Sequence, residues 1–235
     1  MLTRRVLAEL VGTALLLIAV VGSGIAAQRL SPDDTGLQLF ENAAATAVAL
    51  IAIILAVGAV SGAHLNPLVT VADRAFGGLT TREAGAYCGA QVTGAVIGTV
   101  IANLMFELPA VELSERSRSG AGVWLAEVVA TFGLLLVVFG VARSGRSSFA
   151  PFAVGAWIGG AYFFTSSTSF ANPAVTIARA LTDTFAGIRP ASVPGFVVAQ
   201  GTGAALAVAV VRILYPQIAA VAPNVIVPHH DEGAR

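Results

Sequence analysis

The fold is decided by SFANPAVT, residues 169–176, and by a near copy earlier in the chain, GAHLNPLVT, residues 62–70. In each stretch an asparagine precedes a proline inside hydrophobic sequence. Asparagine is a favoured N-cap, and proline is favoured at the first helical position because its missing N–H would have no partner there. The sequence therefore predicts two short helices beginning at Asn-Pro, whose free first-turn N–H groups carry the positive end of the helix dipole.

The composition is that of an integral membrane protein. Of the 235 residues, 56% are hydrophobic and 11% are charged, whereas soluble domains average roughly 25% charged residues. Runs of about 20 apolar residues, enough to cross a bilayer, lie at 6–27, 42–60, 84–106, 122–142, 149–168 and 194–214. We predict an all-α membrane protein with six transmembrane helices and two re-entrant half-helices. Irregular backbone at membrane depth is tolerated only where it is buried in protein or lines a watery cavity.

The charge, the cysteine count and the histidines of the sequence give no sign of nucleic-acid binding, an internal disulfide or a metal site. The formal net charge is zero, so the chain has no basic field for nucleic acid. The single cysteine, Cys88, has no partner for an internal disulfide. His229 and His230 are interpreted as part of a solvated tail, so no metal or other cofactor is expected.

The chain also contains a repeat. The segment ELVGTALLL, residues 9–17, recurs as EVVATFGLL, residues 127–135, and AQVTGA, residues 90–95, recurs as AQGTGA, residues 199–204. Three spans in each half force the second copy into the opposite orientation, which is the inverted-repeat design with its site at the repeat interface. We predict one channel domain over 1–235, with repeats at about 4–106 and 122–215 and a cytoplasmic tail at 216–235.

Arginine counts indicate the orientation, since basic residues favour the cytoplasmic side. The predicted cytoplasmic segments hold Arg4, Arg5, Arg74, Arg82, Arg143, Arg146, Arg212 and Arg235, and the other side holds Arg29, Arg116, Arg118, Arg179 and Arg189. Both termini are therefore expected in the cytoplasm, in a multi-pass protein of the plasma (inner) membrane surrounded by lipid.

Two inverted half-helices would meet at the bilayer centre with their positive ends facing each other, which excludes cations and protons. Asn66 and Asn172 can cap these helices with their side-chain oxygens while their NH2 groups donate into the lumen. The residues before them offer backbone carbonyls as acceptors, and these are Gly62, Ala63 and His64 in the first copy and Ser169, Phe170 and Ala171 in the second. Such a path suits neutral polar molecules.

Other polar residues within the spans have alternative interpretations. A carboxylate inside a span is by default a functional hypothesis, and Glu9 and Glu127 either form a proton relay or accept hydrogen bonds from the backbone before each half-helix. We favour this second role, support of the half-helices. His64 either faces the pore mouth or braces its loop. Gln91 and Gln200 either line the lumen or bond between spans.

The two Asn-Pro motifs, with SGAHLNP at 61–67 and the Glu-x-x-x-Thr and Ala-Gln-x-x-Gly-Ala repeats, resemble the aquaporin or major intrinsic protein family. The resemblance covers nearly all of residues 4–215. It implies a homotetramer with one pore in each subunit. It also implies passive passage of water or small uncharged solutes, with ions excluded.

This sequence departs from the family pattern at two positions. The first motif has Leu68 where the family usually has alanine. The second has Val175 where the family usually has the arginine of the outer constriction, and Arg179 lies four residues further on, roughly 6 Å toward the outer surface. Carrying over the family's filter by spacing gives Thr46, Gly160, Ser169 and Val175, a wide and mildly polar set.

The resemblance therefore implies a channel that favours neutral solutes larger than water, such as glycerol, urea or a metalloid hydroxide like arsenite. A strict water channel is the alternative within the family. A proton-coupled secondary transporter and a non-conducting structural protein are alternatives from other classes. An enzyme is not expected, because no convergent nucleophile, base and metal set is present.

Overall fold

A computed structural model describes residues 2–216, and the regular structure in that range is helical. The helices are α1 Leu2–Leu30, α2 Thr35–Ser61, α3 Pro67–Phe76, α4 Thr81–Met105, α5 Ala121–Arg143, α6 Ala150–Phe164, α7 Pro173–Ala178 and α8 Val193–Leu214. Short 3-10 turns lie at Ser147–Phe149, Arg179–Leu181 and Pro190–Ser192. Apart from residue 216, the predicted tail lies outside the described residues.

The predicted all-α architecture of six spans and two half-helices is confirmed. Within the described residues, five helices are long and apolar enough to cross a membrane: α1, α2, α4, α5 and α8 with its preceding turn. The sixth span is α6, whose 15 residues extend about 22 Å at 1.5 Å per residue. It was predicted to run to residue 168 but ends at Phe164. A run of hydroxyl residues follows, and such side chains compete for backbone hydrogen bonds, as Thr165 does by donating to the Ala161 carbonyl.

Both half-helices begin where the Asn-Pro motifs predict. The side-chain oxygen of Asn66 accepts from the Leu68 N–H at 2.9 Å, and that of Asn172 accepts from the N–H groups of Ala174 and Val175 at 3.0 and 3.3 Å. The prolines occupy the first helical position in α3 and α7. Helix α7 has six residues before it tightens into the 3-10 turn.

The packing follows the inverted repeat. In the first half α1 packs on α2 and α4, and in the second half α5 packs on α6 and α8. Helices α2 and α6 join the halves, α3 also packs on α8, α7 packs on α4, and the two half-helices touch each other. Glycines permit the closest contacts, since a Cβ on Gly94 would clash with the Leu10 carbonyl oxygen and one on Gly203 with that of Val128.

Candidate functional site

A cavity of about 60 Å³ lies between the two repeats, large enough for a few water molecules. Apolar side chains of the long helices form one wall, at matching positions such as Leu16 and Val20 in α1 and Leu134 and Val138 in α5. The two loops before the half-helices form the polar wall. Of the predicted site residues, the lining includes Thr46, Ala63, His64, Asn66, Ser169, Phe170, Asn172 and Val175.

Asn66 and Asn172 are bonded across the repeat interface. The side-chain NH2 of Asn66 donates to the Ala171 carbonyl at 2.8 Å, and that of Asn172 donates to the Leu65 carbonyl at 2.8 Å. An amide NH2 has two hydrogens, so one N–H of each asparagine is not used in these bonds, and both side chains line the cavity. The hydrogen bonds that these two NH2 groups make tie the two half-helix starts together.

The loops before the half-helices have the same alternating backbone conformation. Ala63 and Leu65 have φ of 46° and 50°, and Ser169 and Ala171 have φ of 50° and 49°. Left-handed conformations cost non-glycine residues roughly 1–3 kcal/mol each and persist only where the surroundings fix them. Gly62, predicted to line the pore, instead ends α2 at φ 86°, with its N–H donating to Gly58. It lies at a helix end because it tolerates that φ without a Cβ.

Glu9 fixes the first loop. Its carboxylate accepts from the Ser61 hydroxyl at 2.6 Å and from the N–H groups of His64 and Leu65 at 2.9 and 2.7 Å. The Gln91 side chain donates to it at 2.7 Å and also to the Thr70 hydroxyl of α3 at 2.9 Å. Glu9 therefore holds the strained loop against two long helices.

Glu127 has the same arrangement in the second repeat. It accepts from the N–H groups of Phe170 and Ala171, both at 2.9 Å, and from the Gln200 side chain at 2.6 Å. Gln200 also donates to the Thr176 hydroxyl of α7 at 2.8 Å. Both carboxylates are fully buried, and every partner named here is a protein donor at the loop or its neighbouring helix.

His64 both lines the cavity and braces the loop. Its Nδ1 lies 3.1 Å from the Thr70 hydroxyl, and its Nε2 lies 3.9 Å from an Asp73 carboxylate oxygen in α3. Its ring meets the edge of Tyr87 in α4. The two alternatives from the sequence thus describe one residue, which marks the His64 end of the cavity.

The predicted filter set is only partly assembled at the opposite end, which we call the Arg179 end. Thr46, Ser169 and Val175 line the cavity there, but Gly160 is exposed on the outside of α6. The spacing placed Gly160 two residues from the cavity face, a rotation of about 200° around the helix. The cavity face of α6 is instead formed by Ile158 and its neighbours one turn away on either side.

Two large side chains that were not assigned to this end line it as well, Tyr162 and Arg179. The Tyr162 hydroxyl donates to the Thr46 hydroxyl at 3.3 Å. The Arg179 side chain was expected to lie too far out, but it is buried, with its Nε donating to the Ala186 carbonyl and its Cζ 3.5 Å from the centre of the Phe170 ring. The long side chain turns back toward the cavity and lines it, which the rise of the backbone alone does not predict.

A second guanidinium stacks on the same ring from the loop that precedes α5. Cζ of Arg118 lies 5.1 Å from the Phe170 ring centre, and its N–H groups donate to the carbonyls of Gly187, Ser167 and Phe185. Burial lowers the pKa of Arg118 to about 9, and the nearby charge of Arg179 acts in the same direction. Arg118 therefore ties three loop segments together around the Arg179 end.

Leu68, the other departure from the family pattern, does not face the cavity. It lies in a separate surface groove with residues of α8, including Gly201, Ala204 and Val208. The leucine side chain fits there because α8 presents small residues opposite it. Leu68 therefore contributes to the packing between α3 and α8 and not to the lining of the cavity.

Comparisons with known proteins agree with this architecture. A family model described as Major intrinsic protein matches residues 1–169. Aquaglyceroporin AqpS of Rhizobium meliloti (strain 1021) is 49% identical over 213 residues, 91% of either chain. Probable aquaporin AqpM of Archaeoglobus fulgidus is 31% identical over 217 residues, 80% of this chain and 86% of that one. The X-ray structure of the aquaglyceroporin from Plasmodium falciparum has the same fold, with a TM-score of 0.69 and 21% identity over 93% of this chain and 99% of its own.

Proposed function

The chain belongs to the major intrinsic protein family, and on that basis we propose that it is a passive channel for small uncharged solutes and water. The observation that carries the proposal is the meeting of two half-helix starts at one cavity. There Asn66 and Asn172 each hold a hydrogen-bond donor toward the lumen, and the loops before them supply carbonyl acceptors. A hydroxylated neutral solute can exchange its bonds to water for these groups.

The same geometry opposes ions. The positive ends of α3 and α7 both point to the middle of the cavity, where the field of the two helix dipoles repels cations. The apolar wall offers no replacement for an ion's hydration shell. A neutral solute meets neither barrier.

The carboxylates favour a channel over a proton-coupled transporter. Glu9 and Glu127 each accept several hydrogen bonds from backbone N–H groups and a glutamine. Protonation would turn an acceptor into a donor facing other donors, which is costly in a buried site. These residues are therefore better suited to holding the loops than to carrying protons.

The substrate class is that of small polyols, urea or metalloid hydroxides such as arsenite. The relative at 49% identity is named an aquaglyceroporin, and this supports solutes larger than water. We further propose one channel domain over residues 1–235, a homotetramer with one pore in each subunit, and no catalytic activity. We propose that both termini lie on the cytoplasmic side of the plasma (inner) membrane, so that the Arg179 end faces outward.

Stopped-flow light scattering on vesicles containing the purified protein tests the proposal. Water, glycerol, urea and arsenite gradients are compared with and without an imposed pH gradient, and protein-free vesicles serve as the control. We expect fast flux of water and of at least one larger solute, unchanged by the pH gradient. Solute flux that follows the proton gradient would instead identify a coupled transporter.

A further inference from the structure

The Arg179 end contains a charged group that lies outside the family's usual filter position. Position 175, where the family usually has arginine, holds valine, and Arg179 lies one helical turn later. Residues four apart share a helix face, so both side chains reach the same part of the cavity, and both line it. A small residue at 175 leaves space into which the long side chain from position 179 can turn.

We propose that Arg179 supplies the positive charge of the filter and that, with Ser169, it forms a binding subsite for a hydroxylated neutral solute. This inference rests on the proposed channel function and deepens it. The filter is then not free of arginine. Its arginine is displaced by one turn along the half-helix and reaches back into the cavity.

Three contacts fix the guanidinium in this position. Its Nε donates to the Ala186 carbonyl, the Tyr162 hydroxyl is a hydrogen-bond partner, and the Phe170 ring covers one of its faces. Arginine has five N–H donors in a planar fork. Among residues 2–216, the contacts with Ala186 and Tyr162 use only some of these five donors, so terminal N–H groups of Arg179 remain for a solute in the cavity.

Ser169 provides the second half of the subsite. Its side chain is 3% exposed, and its Oγ has no hydrogen-bond partner among the described residues. A buried hydroxyl without a partner is unfavourable, and Ser169 lines the same cavity as Arg179. A solute hydroxyl there would accept a hydrogen bond from the guanidinium, and a second hydroxyl of a small polyol could bond to Ser169.

The test uses two substitutions of similar length that differ in charge, Arg179→Gln and Arg179→Lys. Vesicles with each purified variant are measured for proton leak under a pH gradient and for glycerol and water flux. Arg116→Met is the matched control, because the exposed Arg116 guanidinium stacks on the Phe185 ring nearby and does not line the cavity. Ser169→Ala tests the subsite without changing any charge.

We expect Arg179→Gln to raise proton leak on the order of tenfold or more, because a unit charge beside a poorly hydrated path has a large effect at short range. Arg179→Lys, which keeps the charge, and Arg116→Met should leak like the wild type, and Ser169→Ala should lower the ratio of glycerol to water flux severalfold. Suppose that the wild type passes glycerol, that Arg179→Gln leaves the proton leak unchanged, and that Ser169→Ala leaves the ratio of glycerol to water flux unchanged. This result would overturn the inference and leave the proposed channel function standing. A wild type that passes no solute would overturn both the inference and the proposed function.

Discussion

The side-chain amide of Asn66 donates to the carbonyl oxygen of Ala171, 2.8 Å away in the other repeat. Asn172 makes the reciprocal bond to Leu65. Both acceptors have positive φ, which is what turns their carbonyls toward the opposite asparagine. The strained loop conformation and the contact between the half-helices are therefore one structural unit, and it can be tested by mutation.

Asn66→Ala removes an N-cap and a cross-repeat bond together. Loss of a cap costs about 0.5–2 kcal/mol and a net hydrogen bond about 0.5–1.5 kcal/mol, so we expect a clear loss of thermal stability in detergent. Because Asn66 and Asn172 bond reciprocally, their two alanine variants combined should destabilise by less than the sum of the singles. Thr202→Ala, which removes an exposed hydroxyl bond to Val198, is the control. A doubly substituted protein with an additive loss would show that the two bonds are independent.

Glu9→Gln tests the role of the buried carboxylates. Ser61 and His64 donate to one carboxylate oxygen of Glu9, and Leu65 and Gln91 donate to the other. Glutamine replaces one of these oxygens with an NH2 donor that faces two other donors, and an unmatched buried polar group costs about 1–3 kcal/mol. We expect reduced stability, and for the protein that remains folded, solute flux with the same dependence on pH as the wild type. The exposed Glu107→Gln serves as the reference. A change in the pH dependence of flux would support the proton-relay alternative.

Gly94→Ala tests the close packing of α1 on α4. The added Cβ would clash with the Leu10 carbonyl oxygen, which is backbone and cannot rotate away, so we expect a loss of stability of about 1–3 kcal/mol from overpacking. Gly85→Ala on the same helix meets nothing within 4 Å and should stabilise slightly, since alanine favours the helix by about 0.5–1 kcal/mol. Thermal unfolding of both variants gives the comparison, and equal effects would contradict the packing described.

The sequence predicted the parts of the site that depend on local pairing rules. An asparagine followed by proline favours a helix start, and the repeat predicted that Glu9 and Glu127 would each support the backbone before a half-helix. The hydrogen bonds from Gln91 and Gln200 to these carboxylates were not predicted. The lining of the Arg179 end was harder to predict. An error of two residues in the register of α6 exchanges a cavity residue for one on the outside of the helix, as Tyr162 and Gly160 show.

The position of the Arg179 side chain could not be predicted from the sequence, for a different reason. Counting residues along the half-helix gives the position of the Arg179 backbone, which follows α7. The direction of the Arg179 side chain depends on its contacts with Ala186, Tyr162 and Phe170. These partners come from three other segments of the chain. No pattern within α7 itself indicates them, so the position of this guanidinium becomes visible only in the assembled fold.

In the proposed channel, solute passes through the cavity between the two half-helix starts. The most direct measurement is stopped-flow glycerol and water flux for Ile158→Trp and Gly160→Trp, two residues apart on α6 but on opposite sides of it. We expect Ile158→Trp to abolish both fluxes by filling the cavity and Gly160→Trp to conduct like the wild type. If the folded Ile158→Trp variant conducts as well as Gly160→Trp, solute does not pass through this cavity.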